Sequence, residues 1–452
     1  MVESSDQTST QQRLEALTEA LQSGTASQVR YLLSSLHPAE TADLLESLPH
    51  GPRKLLWELV AAEDRGEVLL EVKDEVRAGL IEEMETHQLV EATEGLDTDD
   101  LADLLQDLPG AVIHELLHSM DKQNRQRLEA VMSYPEDTAG GLMNPDMVTV
   151  RANVSLDVVL RYLRLRGDIP DLTDSLMVVN RFDKYQGVLP LTTLLTSDPE
   201  SSVAEVMERT VDGIPATMSD VDVARLFEDR DLVSAAVVDE ENRLLGRITI
   251  DDVVDVIREE ADHSLMSMAG LDEEDDIFAP AVLSARRRAV WLGINLATAF
   301  LASWVIGLFE STLDRVVALA VLMPIVASMG GIAGSQTLTI MIRGLALGQV
   351  GSSNARSLMY KELMVSIMNG LIWSLVVALI ATAWFQNVQI GVIIACALII
   401  NLICAALSGF AIPLALKRVG IDPALAGSVL LTTITDVVGF MAFLGLGTLY
   451  LL

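Results

Sequence analysis

The chain has 452 residues, half of them hydrophobic, and a formal net charge of −33. That length exceeds one ordinary domain, and a surface so acidic excludes nucleic acid as a partner, because phosphates call for Lys and Arg. The charge is unevenly placed: from Arg286 onward nine basic residues face five acids, so residues 1–285 carry −37. The front reads as an acidic soluble protein and the back as a membrane protein.

In chain order, residues 1–13 are polar, rich in Ser, Thr and Gln, and read as a disordered N-terminus with no signal peptide. Residues 14–134 read as an acidic run of short amphipathic helices. They hold an internal echo, Ala42-Asp43-Leu44-Leu45-Glu46-Ser47-Leu48-Pro49 recurring as Ala102-Asp103-Leu104-Leu105-Gln106-Asp107-Leu108-Pro109. Such an echo predicts a small α-helical solenoid whose stacked units cover one another's apolar faces. Within it, His114-Glu115-Leu116-Leu117-His118 has the zinc-protease spacing, two His one turn apart around a general-base Glu. It lies on a soluble helix without an evident third ligand, and the ordinary reading is a solvated helix face.

Residues 135–200 and 201–257 read as tandem α/β modules. The runs Ser175–Val179 and Ser234–Val238 are strand-like, and Gly187-Val188-Leu189-Pro190-Leu191 is matched by Gly246-Arg247-Ile248-Thr249-Ile250. Residues 258–284 follow as a connecting helix, and residues 285–452 as a transmembrane domain.

Leu363 to Leu416 contains no charged residue, which at about 20 residues per span is two helices joined at Gln386–Gln389. Ala289–Phe309, Val316–Ile342 and Ala424 to the C-terminus bring the count to five spans. With the acidic front in the cytosol, the inner loops hold Arg286, Arg287, Arg288, Arg343, Arg356, Lys361, Lys417 and Arg418, and the outer loops only Arg315. That bias places the C-terminus outside. Cys396 and Cys404 share one apolar stretch, about 12 Å apart along a helix, too far for a disulfide.

Two features break the apolar pattern. Asp436 stands in the last span, where a carboxylate costs at least ~2.5–3.5 kcal/mol unless it faces a polar cavity or a partner. At helical spacing Thr432, Thr433 and Gly439 share its face, offering oxygens to a hard cation that keeps much of its water. The alternative is a structural Asp bonded to a neighbouring helix. The second feature is Pro324 followed by Gly330-Gly331-Ile332-Ala333-Gly334-Ser335-Gln336, which frees backbone carbonyls of the kind tolerated beside a water-filled path. Close helix packing through small residues is the competing reading.

These residues resemble the MgtE family of magnesium channels and transporters over nearly the whole chain. The marks are Ala139-Gly140-Gly141-Leu142-Met143, the glycine-rich second span, Asp422-Pro423-Ala424, and Thr432-Thr433-Ile434-Thr435-Asp436-Val437-Val438-Gly439-Phe440. The resemblance implies a multidomain chain: a helical N domain, two CBS modules, a connecting "plug" helix and a five-helix pore domain. It implies a homodimer in the inner membrane, in contact with lipid, importing Mg2+ down the membrane potential. Asp436, Thr432, Thr433, Gly331 and Gln336 are then pore residues. Asp99, Asp103, Asp231, Asp251, Asp252, Asp255 and Asp422 become regulatory positions that bind cytosolic Mg2+ and close the pore. CBS modules also bind nucleotides, with Thr249 and Asp252 as candidates for ATP. Nothing resembles a P-loop or a phosphorylated-Asp motif, which argues against an ATP-driven pump.

The chain departs from the family pattern at Ile332, where Asn is usual, at Val429, where Pro is usual, and at His263 and Ser264, where a Glu-Asp pair is usual. These departures leave open a Co2+/Mn2+ transporter, or an ion-coupled exchanger with weak or absent Mg2+ gating.

Overall fold

The computed structural model describes residues 26–452 apart from Glu94, Asp121, Asp168, Glu273 and Ser352. The expected disordered stretch 1–13 and the first residues of the expected N domain lie outside the described residues. The chain divides into two compact units. One holds the described residues up to Asp262 together with Glu274–Ala279, and the other His263–Glu273 together with Pro280–Leu452.

The first unit begins with short helices α1 (Ala26–Leu33), α2 (Pro38–Glu46), α3 (His50–Trp57), α4 (Arg65–Glu71), α5 (Asp74–Glu82), α6 (Thr86–Ala92), α7 (Thr98–Asp107), α8 (Gly110–Ser119) and α9 (Lys122–Val131). The two echoes occupy equivalent places. Ala42, Leu44, Leu45 and Leu48 are buried, as are Ala102, Leu104, Leu105 and Leu108. Pro49 and Pro109 each stand at the N-cap of the next helix, where the chain must turn.

Two three-stranded sheets follow, with the same topology. In the first, β1 (Thr149–Arg151) runs parallel to β2 (Ser175–Val179), which runs antiparallel to β3 (Tyr185–Pro190). Helix α10 (Leu156–Arg166) crosses over between β1 and β2, and α11 (Leu191–Thr196) and α12 (Val203–Val206) lead out of the module. In the second sheet, β4 (Ile214–Pro215), α13 (Asp220–Arg230), β5 (Ser234–Val238) and β6 (Leu244–Thr249) repeat the plan, with a register shift between Val237 and Val238 that matches the one between Val178 and Val179. All five residues of β2 and of β5 are buried, which is why both read as unbroken apolar runs. Each sheet edge is met by the segment entering the other module, Val188 pairing with Glu208 and Arg247 with Asn144. Gly187, at φ 143°, lets that segment close in, since a Cβ there would stand 2.1 Å from the Glu208 carbonyl oxygen.

Helix α14 spans Ile250–Ser267, and α15 (Ala281–Gly307) starts a new helix that runs on into the first span. The expected single connecting helix over 258–284 is therefore corrected: it is broken after Ser267. Gly270 adopts a left-handed conformation at φ 69° and Pro280 caps α15, so neither end can continue.

Residues 274–279 fold back onto the first unit. The Arg53 guanidinium donates to both Asp276 carboxylate oxygens at 2.7 and 2.9 Å, and its Nε donates to the Leu45 carbonyl at 2.8 Å. Both side chains of the pair are buried. The Asp276 backbone N–H donates to Glu75 and that of Asp74 to Glu274, each at 2.7 Å. Burial pushes the Asp276 carboxyl up, but the Arg53 and Phe278 hydrogen bonds outweigh it and hold the group below the usual carboxylate range.

The second unit is helical: α15, the short α16 (Glu310–Arg315), α17 (Val317–Ala346), α18 (Ala355–Phe385), α19 (Val388–Val419) and α20 (Pro423–Leu451). Among the described residues, five of these are long and apolar enough to cross a membrane. The turn between α18 and α19 is shorter than the sequence suggests, because Gln389 already belongs to α19, whose start Asn387 caps. The helices lock by placing Leu into Gly: Leu431 lies over Gly334, Leu338 over Gly427 and Leu319 over Gly447, where added Cβ atoms would meet the Leu methyls at 2.8, 3.1 and 2.7 Å. Small residues that admit a close neighbour are the main attraction available between helices in lipid.

Breaking a buried ion pair by removing one partner leaves an uncompensated charge and costs roughly 3–5 kcal/mol. Arg53→Ala and Asp276→Ala are each expected to release segment 274–279 from α3 and α5. Hydrogen exchange on the full-length protein checks this: amides at Asp276 and Phe278 should lose protection in both variants while β2 and β5 keep theirs.

Candidate ion pathway and acidic network

Between α17 and α20 lies a cavity of about 860 Å³. From α17 it receives Ser328, Gly331, Ile332, Ser335, Gln336 and Thr339, residues three or four apart and so on one helical face. From α20 it receives Thr432 and Asp436, one turn apart. Asp436 is the single ionisable side chain in this lining. The Ser335 hydroxyl donates to the Gly331 carbonyl at 2.9 Å and the Thr432 hydroxyl to the Ser428 carbonyl at 2.9 Å. With their protons so directed, both oxygens keep lone pairs for a cation's water shell.

Of the residues singled out from the sequence, Asp436, Thr432, Gly331 and Gln336 meet here. Thr433 is not among the lining residues. It is turned about 100° from Thr432 around the helix, and its hydroxyl donates to the Val429 carbonyl at 2.7 Å. Gly439, expected on the Asp436 face, is buried instead, and a Cβ there would stand 2.7 Å from Asn401 and 3.2 Å from Val326. Ile332 is more than half exposed on the cavity wall.

Two side chains beside this cavity were missed from the sequence. Asn401 of α19 is fully buried and donates to the Val326 carbonyl at 2.9 Å. Glu362 of α18 is buried, accepts from the Thr337 hydroxyl at 3.3 Å, and pairs with the Lys361 ammonium at 3.1 Å. Asn401 was legible as a lone amide in a long apolar run, whereas Glu362, just ahead of the uncharged stretch, looked like ordinary flanking charge.

At the start of α20, Asp422 is a cap: its carboxylate accepts from the N–H groups of Ala424 at 2.9 Å and Leu425 at 3.1 Å. His263 Nε2 stands 3.5 Å from the same carboxylate. The segment after His263 lies on the bundle, with Met268 against the cluster containing Leu338, Leu416 and Leu431, and Gly270 flat against Trp291.

In the first unit, carboxylates from α7 and the start of α14 share one electric field. Burial, then the charge of Asp252, pushes Asp99 up to about 8; its Oδ1 has no hydrogen-bond partner among the described residues. Burial, then Glu136 and Asp100, raises Asp103 to about 7. Burial, then Asp251, raises Asp252 to about 7, and burial, then Glu274 and Asp255, raises Glu259 to about 7. Asp255 is raised as well, mainly by burial. Asp100, which the sequence reading passed over, is raised to about 6 by burial and by Asp97 and Asp251. Asp231 lies apart from these causes, as the left-handed C-cap of α13 at φ 51°. The Thr249 hydroxyl, a candidate phosphate contact, donates to Asp251 and to Asp252, the latter at 3.2 Å. Among the described residues no three acids, His or Cys converge as a chelating group, and the exposed rings of His114 and His118, 5.2 Å apart, gain no third ligand.

The chain matches the family described as "Divalent cation transporter" (MgtE) over residues 323–446, the MgtE intracellular N domain over 36–137, and CBS domains over 139–200 and 203–259. It is 33% identical to "Magnesium transporter MgtE" of Thermus thermophilus, over 96% of this chain and 98% of that protein. The chain belongs to the MgtE family. It is also 29% identical to the Bacillus subtilis magnesium transporter MgtE, over 95% of this chain and 96% of that one. The crystal structure of the cytosolic domain of the Mg2+ channel MgtE in complex with ATP is 35% identical, with a TM-score of 0.49, covering 54% of this chain and 99% of that chain. The helical N domain, paired CBS modules and five apolar helices are the MgtE architecture, that of a transporter and not an enzyme. The chain is a multi-pass membrane protein with a soluble N-terminal part.

The raised carboxyls set a pH dependence. Their folded values lie above the unfolded ~3.9, so the stability tied to their protonated forms is fully present below about pH 4 and is lost as pH rises from there through the folded values of about 6 to 8. With EDTA present, amide protection in α7 and the first turns of α14, corrected for intrinsic exchange, is expected to fall between pH 6.5 and 8, and millimolar Mg2+ to restore it. Protection that rises with pH in EDTA contradicts this electrostatic account.

Proposed function

We propose that this chain forms an ion pathway for Mg2+ between α17 and α20, with Asp436 as the residue that holds the ion. The observation that carries the reading is the lone carboxylate in a cavity otherwise lined by hydroxyls, an amide, a glycine and apolar groups. Such a wall suits a hard cation that keeps most of its water, because one fixed charge attracts it and neutral oxygens hold its hydration shell. The relatives named magnesium transporters support the choice of ion. The functional unit is a homodimer in the inner membrane, with its acidic modules in the cytosol and its C-terminus outside, importing Mg2+ down the membrane potential.

Cytosolic Mg2+ is the regulator in this reading. Asp99, Asp103, Asp251, Asp252 and Asp255, joined by Asp100 and Glu259, repel one another until divalent cations lower their mutual charge. Asp231 and Asp422 complete the proposed regulatory set. At the mouth, His263 meets Asp422 directly, so the contact expected of a carboxylate pair is made here without one. We therefore expect closure to be less steeply dependent on Mg2+ than in relatives with two acids at 263 and 264. ATP at the second CBS module requires Thr249 and Asp252 to release each other.

Asp436→Asn keeps the shape and removes the charge. Mg2+ uptake into liposomes is expected to fall at least about tenfold, the loss of about 1.4 kcal/mol of ion binding, with the protein still folded. Uptake at the wild-type rate in that variant sinks the pore assignment. Competition by Co2+ and Mn2+ in the same assay tests the rank order of ions beside Ile332.

A further inference from the structure

We propose that Asn401 is a positioning residue that fixes the spacing of the two cavity walls and so sets ion discrimination. The proposal rests on the reading of the α17–α20 cavity as the ion path. Asn401 lies outside that cavity, on α19, and its side chain fills a slot formed by two glycines. A Cβ on Gly330 would stand 2.2 Å from its Nδ2 and a Cβ on Gly439 2.7 Å from the same atom. Gly330 adjoins Gly331 of one wall, and Gly439 lies one turn beyond Asp436 on the other. The amide donates to the Val326 carbonyl at 2.9 Å, immediately ahead of Ala327 and Ser328 of the lining. A single side chain thus touches the backbone of α17 just ahead of the cavity and the backbone of α20 just beyond the carboxylate.

Stability alone does not explain an amide here. Asn401 is completely buried, and its Oδ1 has no hydrogen-bond partner among the described residues. An unpaired buried acceptor is unfavourable, and an apolar side chain would avoid that penalty. What an apolar side chain cannot supply is a directional bond to one chosen carbonyl. Helix α17 needs such a bond because Pro324 removes one backbone donor and three glycines, Gly330, Gly331 and Gly334, weaken the helix that follows. Leu-into-Gly contacts hold helices close but resist sliding only weakly, whereas the amide bond fixes the height of α17 against α19. Because Gly439 packs on the same side chain, it fixes the height of Asp436 against the Gly331 and Gln336 wall as well.

The test uses full-length protein in liposomes and reads the Mg2+ to Ca2+ uptake ratio, maximal Mg2+ flux and half-saturating Mg2+. Asn401→Ala removes the bond and the filler; Asn401→Asp keeps the shape and, protonated in an apolar interior, still donates to Val326. The Ala variant is expected to shift the ratio about tenfold, the worth of one such bond, while the Asp variant stays within about twofold of wild type. An assembled Asn401→Ala protein with the wild-type ratio and flux overturns the proposal. If the Ala variant does not assemble, Asn401→Asp decides, and a ratio shifted about tenfold in that variant overturns it. Asp436→Asn is run alongside: persistent flux there overturns the pore reading and this proposal together, whereas loss of flux there with a wild-type Asn401→Ala rejects only the role of Asn401.

Discussion

Asp436, the one ionisable side chain on the wall of the α17–α20 cavity, is the constraint on which the second unit depends. Asp436 cannot be accommodated by packing alone, because a charge within a membrane-spanning helix must find a counter-charge, a proton or water. No basic side chain lines its cavity, so the surrounding helices supply small and hydroxyl-bearing residues in place of a partner. Gly331 and Ser335 stand one turn apart on α17, and Thr432 one turn before Asp436 on α20, because only helix faces open enough to admit water can tolerate that charge. The apolar seams on the remaining faces, with Leu431 on Gly334 and Leu338 on Gly427, follow from the same need, since they keep α17 and α20 close along the rest of their length.

The first unit faces the opposite difficulty, too many like charges in place of one isolated charge. Asp99, Asp100, Asp103, Asp252 and Glu259 are all raised, each mainly by burial and then by another acid. An apolar core running through the helical domain and the second CBS module holds them together against that repulsion. The result is a unit whose compact form is favoured by whatever neutralises it, proton or divalent cation. The Arg53–Asp276 pair is the exception, a charge fully met by its partner, and it secures the segment that immediately precedes the first span.

Much of this was legible in the sequence, for definable reasons. The strands β2 and β5 stood out as continuous β-branched and small apolar runs between turn residues, and both lie where the runs do. The echo around Leu44 and Leu104 showed the helical repeat because the same four positions must be buried in each copy. Asp436 announced itself by being charged in a span. What was not legible depends on rotation and on partners far along the chain. Thr433 shares a dipeptide with Thr432 yet points away from the cavity. The break after Ser267 rests on Gly270 taking a left-handed conformation, which a single glycine does not declare. Asn401 and Asp276 act through Val326 and Arg53, 75 and 223 residues away, and although Asn401 stands out as an amide in an apolar run, no local pattern names either partner.

The departures from the family pattern change the chemistry at two points without disturbing the frame. At the mouth, a histidine in place of a carboxylate turns a like-charge encounter with Asp422 into a direct contact. Asp422 also accepts from two N–H groups at the start of α20, so its position is fixed by the helix whether or not an ion is near. A neutral imidazole offers one donor to that carboxylate and a carboxylate at the same place offers none. In the gating proposed above, less of that contact has to be supplied by cations, which leaves the acidic network of the first unit as the proposed place where Mg2+ acts. In the cavity, Ile332 sets an apolar side chain among the hydroxyls and the amide of the α17 wall. In the proposed ion path the polar groups of the lining are Asp436, Gln336 and the hydroxyls of Ser328, Ser335, Thr339 and Thr432, so the proposed selectivity rests on how those two helices are set against each other.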